Sequence, residues 1–235
     1  DRLSRGLGDV YKRQFQHSTS FRRLSAQELE AWRDAEAAPV SDCLNRAQAM
    51  DAGISPLSPS MHVVGQARTI RCQVGDNSAI HAAINLVEPG DVLVASAGGF
   101  PGTAVWGGLM TEAARKRGIA GLVIDGAVRD FTDIVEVGFP CFARGVTPAG
   151  PHKNFGGEID GPIACGGIAV NPGDLVVADA DGVTIVPLAR VDDTLTAYRA
   201  LKEREVRTLK AIEDGGTLAE IYGVPEIVHM KPDNE

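Results

Sequence analysis

The stretch Gly118-Ile119-Ala120-Gly121-Leu122-Val123-Ile124-Asp125-Gly126-Ala127-Val128-Arg129-Asp130-Phe131-Thr132-Asp133 decides how the rest of the chain is read. Residues 121–125 are aliphatic, partly β-branched and bounded by glycine, the composition of a strand covered on both faces. A helical pattern then opens at Phe131 and runs over 131–137, and a second strand follows over 141–144. The segment from Asp125 to Asp133 therefore falls at the carboxyl end of a strand, where open α/β sheets collect ligands.

Outward from this segment, the same punctuation occurs twice. Pro89-Gly90-Asp91 leads into Val-Leu-Val-Ala, and Pro172-Gly173-Asp174 leads into Leu-Val-Val-Ala. In each, Pro and Gly set a tight turn before a buried strand. The spacing is too irregular for a solenoid. Upstream, residues 24–50 are helical in pattern: Leu24, Glu28 and Trp32 lie four apart, and Ser25 with Glu28 forms a capping box. Pro39 is expected to break this segment, with Ser41 capping a second helix through Leu44 and Met50. A loop over 54–59 precedes an extended stretch over 63–74. Asp76 or Asn77 then caps a helix carrying Ile80, Ala83, Ile84 and Val87. A helix is expected over 109–117, a Gly-rich stretch over 150–167, and strands over 168–170, 175–178 and 183–186. A long charged helix over 189–213 is stopped by Gly215-Gly216. No low-complexity linker divides the chain, so residues 15–235 read as one α/β domain with helical N- and C-terminal segments. Residues 1–14 are charged, Gly-interrupted and aperiodic, and read as a non-native tail.

Composition narrows the function classes. The chain has 235 residues, 44% hydrophobic and 23% charged, which is globular rather than disordered. With 23 Lys and Arg against 31 Asp and Glu, the net charge of −8 offers no field for a polyanion, so no nucleic-acid partner is expected. No apolar run approaches the roughly 18 residues of a membrane span, and no secretory h-region opens the chain. Cys43, Cys72, Cys141 and Cys165 are widely spaced, without a Cys-x-x-Cys pair or a nearby His at ligand spacing. Reduced thiols and a cytoplasmic location are the expectation.

Two segments carry chemistry. The run Gly98-Gly99-Phe100-Pro101-Gly102-Thr103-Ala104-Val105-Trp106-Gly107-Gly108-Leu109-Met110 ends at a helix start. Glycine there lets a ligand approach the backbone, and the first-turn N–H groups of Leu109 and Met110 suit a carboxylate or phosphate. In the second segment, Arg129 is a two-pronged donor for a carboxylate, and Asp130 and Asp133 are hard oxygen ligands suited to Mg²⁺ or Mn²⁺. A turn without a ligand, and a surface ion pair with Asp130 as a helix cap, are the competing readings.

Together these residues form Gly108-x20-Arg129-Asp130-x2-Asp133. Ala104-Val105-Trp106-Gly107-Gly108 and Asp179-Ala180-Asp181-Gly182-Val183 flank the motif in order. The pattern resembles the RraA-like family of class II pyruvate aldolases, which includes 4-hydroxy-4-methyl-2-oxoglutarate / 4-carboxy-4-hydroxy-2-oxoadipate aldolase. It extends over about residues 24–223. The resemblance implies a single-domain α-β-β-α sandwich of the swivelling-domain type, assembled as homotrimers or homohexamers with active sites between subunits. It implies that Asp130 is the direct ligand of a divalent metal (Mg²⁺ or Mn²⁺) and that Arg129 holds the pyruvyl part of a 2-oxo acid substrate. Gly107, Gly108, Leu109 and Met110 would form the carboxylate-binding backbone. The well-studied aldolases carry Asp at the position of Gly108; this chain follows a branch with a carboxylate at Asp133 instead. A Glu from a neighbouring subunit completes the family site, and Glu205 fits that spacing better than Glu203, against the competing reading of a solvated helix face.

The implied chemistry is cleavage of a 4-hydroxy-2-oxo acid to pyruvate plus a second oxo acid, and decarboxylation of oxaloacetate, since both pass through pyruvate enolate. A divalent cation and Arg129 stabilise that enolate. A Schiff-base route needs a desolvated lysine, and only Lys153 sits in the Gly-rich region. The alternatives are a non-catalytic regulator of a ribonuclease, like the family's namesake, and another lyase acting on a 2-oxo acid. That namesake lacks the Asp after the Arg, whereas Asp130 is present here. His152-Lys153-Asn154 reads as a solvated loop ahead of the alternatives of lining the site mouth or a subunit contact, His62 and His81 as packed or exposed residues, and Asp179 and Asp181 as turn residues. Met110 reads as core, and Trp106 as packing beneath the glycine run.

Overall fold

Residues 121–128 form a strand buried at every position. In the computed structural model, which describes residues 15–17 and 21–226, it is an interior strand of the main sheet; the tail expected at 1–14 lies outside the described residues. In chain order the elements are β1 (Phe15–His17), α1 (Ala26–Glu30), α2 (Ala37–Cys43), β2 (Ser55–Pro56), β3 (Val63–Cys72), α3 (Ser78–Ala83), β4 (Val92–Trp106), α4 (Gly108–Lys116), β5 (Gly121–Val128), α5 (Phe131–Glu136), β6 (Cys141–Val146), β7 (Gly157–Ile159), β8 (Ile163–Cys165), β9 (Ile168–Val170), β10 (Leu175–Asp179), β11 (Gly182–Val186), α6 (Val191–Glu213) and α7 (Leu218–Tyr222).

Strands β3, β4, β5 and β6 run parallel to one another in that order. The helices that link them cover one face, as parallel crossovers require. Strand β3 is shared: Val63 to Gln66 pair antiparallel with β10, whereas Ala67 to Arg71 pair with β4. It thus hands the chain from the main sheet to the β10–β11 hairpin.

The alternation along β10 defines the layers. Leu175 and Val177 belong to a cluster with Trp32, Val40, Leu44 and Val191, from α1–α2 and α6. Val176 and Ala178 point the other way, into the main core with Leu93, Leu122, Ile124 and Phe142. Successive strand residues face opposite sides, so the hairpin is sandwiched between helices and the large sheet. The order helix, sheet, sheet, helix is the one expected. Each fully buried aliphatic side chain such as Leu93 or Leu122 contributes about 1.5–3 kcal/mol.

Several boundaries differ from the sequence expectation. The capping box at Ser25 and Glu28 is present, but α1 ends at Glu30. Pro39 does not break a helix; it is the third residue of α2, in the first turn, where its missing N–H has no intrahelical partner to lose. Ser41 lies inside that helix rather than capping one, and the Ala37 N–H is taken by Asp179 Oδ2 at 2.8 Å. Asp76, not Asn77, supplies the side-chain cap of α3, its Oδ1 accepting the Ser78 N–H at 2.8 Å, and α3 stops at Ala83. The glycine run after Ser96 remains part of β4, with its register against β5 shifted at three places. Gly98 and Gly99 take left-handed φ values of 75° and 67° there, which only glycine adopts without strain. The Gly-rich stretch contains β7 and β8, both unanticipated.

Candidate functional site

Strands β4 and β5 end side by side, with Trp106 opposite Val128. The Arg129 N–H donates to the Trp106 carbonyl at 3.0 Å, so Gly107-Gly108 and Arg129-Asp130 leave the sheet together. Trp106 is buried; its Nε1 donates to Thr111 Oγ1 at 2.8 Å and its ring stacks on Phe139. Its packing holds the turn into α4.

Asp130 sits in the left-handed region at φ 57°, ψ 43°, a conformation that costs a non-glycine residue about 1–3 kcal/mol and clusters at functional sites. It precedes α5 but makes no side-chain cap. Its Oδ2 instead accepts the Gly108 N–H at 2.9 Å, across the β4–β5 gap. The Arg129 Nε lies 3.6 Å from the same oxygen, too long for a hydrogen bond. Both side chains are about two-fifths exposed (44% and 39%), so the guanidinium and carboxylate remain open to a ligand.

The two glycines leave room for the carboxylates beside them. A Cβ on Gly107 would meet Asp130 Oδ2 at 2.6 Å and Arg129 Cγ at 3.0 Å. A Cβ on Gly108 would meet Asp133 Oδ2 at 3.2 Å. A carboxylate at 108 and one at 133 would therefore compete for the same space. Asp133 shares a second depression with Gly108, Thr111, Glu112 and Asp130. In the first turn of α4, the Met110 N–H is directed to the Gly107 carbonyl at 3.1 Å, while the Leu109 N–H has no acceptor among the described residues.

Between these groups lies a cavity of about 100 Å³, lined by Asn77, His81, Trp106, Gly107, Leu109, Met110, Arg129, Asp130, Pro151 and Lys153. That volume is roughly the liquid share of three waters. It suits a small acid, and it brings together the Arg129–Asp130 pair, the first turn of α4, α3 with the residue before it, and the loop of Pro151 and Lys153. His81 comes from α3. Partial desolvation of its ring, then the Lys153 charge, lower its pKa against an opposing pull from Asp76, so the imidazole is neutral at neutral pH. Asn77 is buried; its Nδ2 donates to the Val105 carbonyl at 3.1 Å, and its Oδ1 has no partner among the described residues. Asn77 lies 52 positions before Arg129 and 76 before Lys153, so no local motif joins them. The faintest signal is the polar Asp-Asn-Ser before α3, which in sequence shows only a cap.

Glu205 lies elsewhere in the single chain. It lines a larger cavity of about 650 Å³ with Asp34, Glu36, His62, Asp181 and Lys202. Lys202 bridges Glu205 at 2.9 Å and Glu36 at 2.6 Å, and the two carboxylates raise its pKa. Glu203 is a further residue of the same helix, α6.

The sequence matches the RraA-like family, described as Aldolase/RraA, over residues 37–185. The chain belongs to that family. A Halalkalibacterium halodurans protein provisionally named 4-hydroxy-4-methyl-2-oxoglutarate aldolase is 37% identical over 190 residues, covering 81% of this chain and 90% of that protein. The structure of an uncharacterized protein from Pseudomonas syringae pv. tomato superposes with a TM-score of 0.78 at 30% identity, covering 88% of this chain and 98% of that one. The structure of a Thermus thermophilus protein described as the RNA-processing inhibitor RraA gives a TM-score of 0.60 at 31% identity, covering 66% and 93%. The RraA-like match contains every residue lining the Arg129–Asp130 cavity, and Glu205 falls beyond it.

Proposed function

We propose that this RraA-like protein is a divalent-metal-dependent lyase that cleaves a 4-hydroxy-2-oxo acid to pyruvate and a second oxo acid, and that also decarboxylates oxaloacetate. The observation that carries the reading is the Arg129–Asp130 pair at the rim of a small cavity, with Asp130 held in a strained backbone by Gly108. The aldolase-named relative supports lyase chemistry at the level of the family.

Among the described residues no three His, Cys, Asp or Glu side chains converge as a preformed metal cage. A hard cation that keeps several waters is bound through one or two carboxylates plus its substrate, and Asp130 meets that requirement: one oxygen is fixed by Gly108, while the other has no protein partner among the described residues. Mg²⁺ or Mn²⁺ would be held there, and when bound it supplies Lewis-acid stabilisation of the 2-oxo group.

The chain's own residues do the rest. The Leu109 N–H and the Arg129 guanidinium take the C1 carboxylate and the 2-oxo end. As the C4 hydroxyl loses its proton and the C3–C4 bond parts, the electron pair moves onto the C2 oxygen, where Arg129 offers a fixed positive charge. A preorganised charge aimed at the developing oxyanion is worth about 10²–10³ in rate. Asp133, beside Gly108, would hold the water that accepts the hydroxyl proton; protonation at C3 then yields the pyruvate methyl group. His81 and Lys153 face the half of the substrate beyond C4. Oxaloacetate uses the same electron sink, with carbon dioxide leaving in place of the second oxo acid.

We place the protein in the cytoplasm, in keeping with four unpaired thiols, and no described helix is long and apolar enough to cross a membrane. A trimer or hexamer in which Glu205 reaches a neighbour's Arg129–Asp130 site would account for a Glu205 that stands apart from that cavity within one chain. A ribonuclease-inhibiting role draws support from the likeness to the Thermus RNA-processing inhibitor, yet gives Asp130 no reason for its strain. The test is pyruvate release across several 4-hydroxy-2-oxo diacids and oxaloacetate, with chelator and then with Mg²⁺ or Mn²⁺. Turnover that needs the cation supports the lyase; no pyruvate from any of these substrates refutes it.

A further inference from the structure

The buried carboxylate of Asp76 stands just behind the cavity wall. It is 1% exposed, and its two oxygens serve two different segments. Oδ1 accepts the Ser78 N–H at 2.8 Å, together with the Ser78 hydroxyl. Oδ2 accepts the backbone N–H groups of Asn154 at 2.7 Å and Phe155 at 3.1 Å. Two backbone bonds extend the tie: the Asn77 N–H donates to the His152 carbonyl at 3.1 Å, and the His152 N–H donates to the Gly75 carbonyl at 2.8 Å. One end of this tie is α3, which carries His81 and follows Asn77; the other is the loop that carries Lys153. All three residues line the cavity, and Asp76 does not.

We propose that Asp76 is a positioning residue that fixes Lys153 against the Arg129–Asp130 cavity. Lys153 itself is exposed and sits on a loop without secondary structure, so nothing local restricts it. Two backbone N–H groups directly after Lys153, both bound to one buried carboxylate oxygen, leave its main chain a single placement relative to α3. Charge-assisted bonds from backbone N–H groups are among the stronger ones, and a buried acceptor cannot exchange them for water. The Asp76→Asn change keeps the size but turns one of the two oxygens into a donor, so it loses bonds on one side of the tie.

The inference rests on the proposed lyase reading only for its kinetic arm; amide exchange tests the clamp without any substrate. In Asp76→Asn, the amides of residues 151–155 are expected to exchange about tenfold faster or more, with those of β5 unchanged. With a 4-hydroxy-2-oxo diacid, KM is expected to rise about tenfold while kcat stays within about twofold. Because Asp76 acts through Lys153, the double variant Asp76→Asn/Lys153→Ala is expected to match Lys153→Ala alone. Unchanged exchange overturns the clamp; faster exchange with additive effects in the double variant overturns its action through Lys153. If Asp76→Asn does not fold, Ser78→Ala, which removes the hydroxyl's contacts with Asp76 Oδ1 and with the Phe155 carbonyl, must speed the same amides, and unchanged exchange there overturns the proposal. If the wild-type protein releases no pyruvate while exchange responds as expected, the lyase reading fails and the clamp stands.

Discussion

Asp130 Oδ2 accepts the Gly108 N–H at 2.9 Å, and this bond joins the end of one central strand to the first turn of the helix after its neighbour. It orients a carboxylate whose own helix it leaves uncapped, and a Cβ at 107 would displace it, striking the same oxygen at 2.6 Å. The site is thus built from backbone geometry at two strand ends rather than from a cluster of side chains.

Removing either charged group is expected to abolish most turnover while sparing the fold, since both side chains are partly exposed and no strong bond joins them. Arg129→Ala and Asp130→Ala should each lower kcat/KM by about 10²–10³ or more. Steady-state kinetics beside a thermal melt checks this; full activity in either variant would remove that residue from the mechanism.

Gly108→Asp would set a second carboxylate against Asp133, whose Oδ2 lies 3.2 Å from the added Cβ. Like charges so close raise one pKa and disfavour the pair. The single change should lower activity, and adding Asp133→Ala should restore part of it. A double variant no better than the single would show that the two positions are not interchangeable.

Much of this architecture is legible in the residues. The strand–turn–helix around Arg129 and the two Pro-Gly-Asp turns each carry a local signal, glycine or proline next to an aliphatic run. The Ser25 box and the long charged helix are marked by caps and periodicity. Pro39 misleads because a proline in the first turn looks the same in sequence as one that breaks a helix. Strands of three residues, β7 and β8, are too short to show a period. His81 escapes a sequence reading, and the loop of Lys153 reads there as solvated ahead of lining the site, because their placement depends on Asp76 binding amides almost eighty residues away, a tertiary bond with no sequence pattern.

The Asp76 clamp has a definite pH dependence. Burial works to raise its carboxyl, but the bonds from Ser78, Asn154 and Phe155 outweigh burial and hold it below the usual carboxylate range. A depressed folded value means stabilisation that is full above the unfolded pKa of about 3.9 and is lost as pH falls through the folded one. The stability gap between wild type and Asp76→Asn, from urea midpoints, should be largest at neutral pH and shrink in acid. A gap independent of pH would contradict this.

Stability also depends on a buried ion cluster away from the site. Arg68 Nη2 lies 2.6 Å from Asp160 Oδ2, and its Nη1 lies 3.1 Å from Asp91 Oδ2, all three side chains being buried. Asp160→Ala leaves a buried guanidinium short of a partner and should cost about 3–5 kcal/mol. Chemical denaturation measures it; a loss under about 1 kcal/mol would mean that Asp91 alone compensates Arg68.

The most direct test of the Arg129–Asp130 site needs no knowledge of the natural substrate. Pyruvate in heavy water exchanges its methyl protons only as fast as its enolate forms, and proton NMR follows the loss of the methyl signal. The wild-type protein with Mg²⁺ should accelerate that exchange, and Asp130→Ala should not. Exchange by wild type no faster than the protein-free control, or equal exchange by Asp130→Ala, would contradict enolate stabilisation at this site.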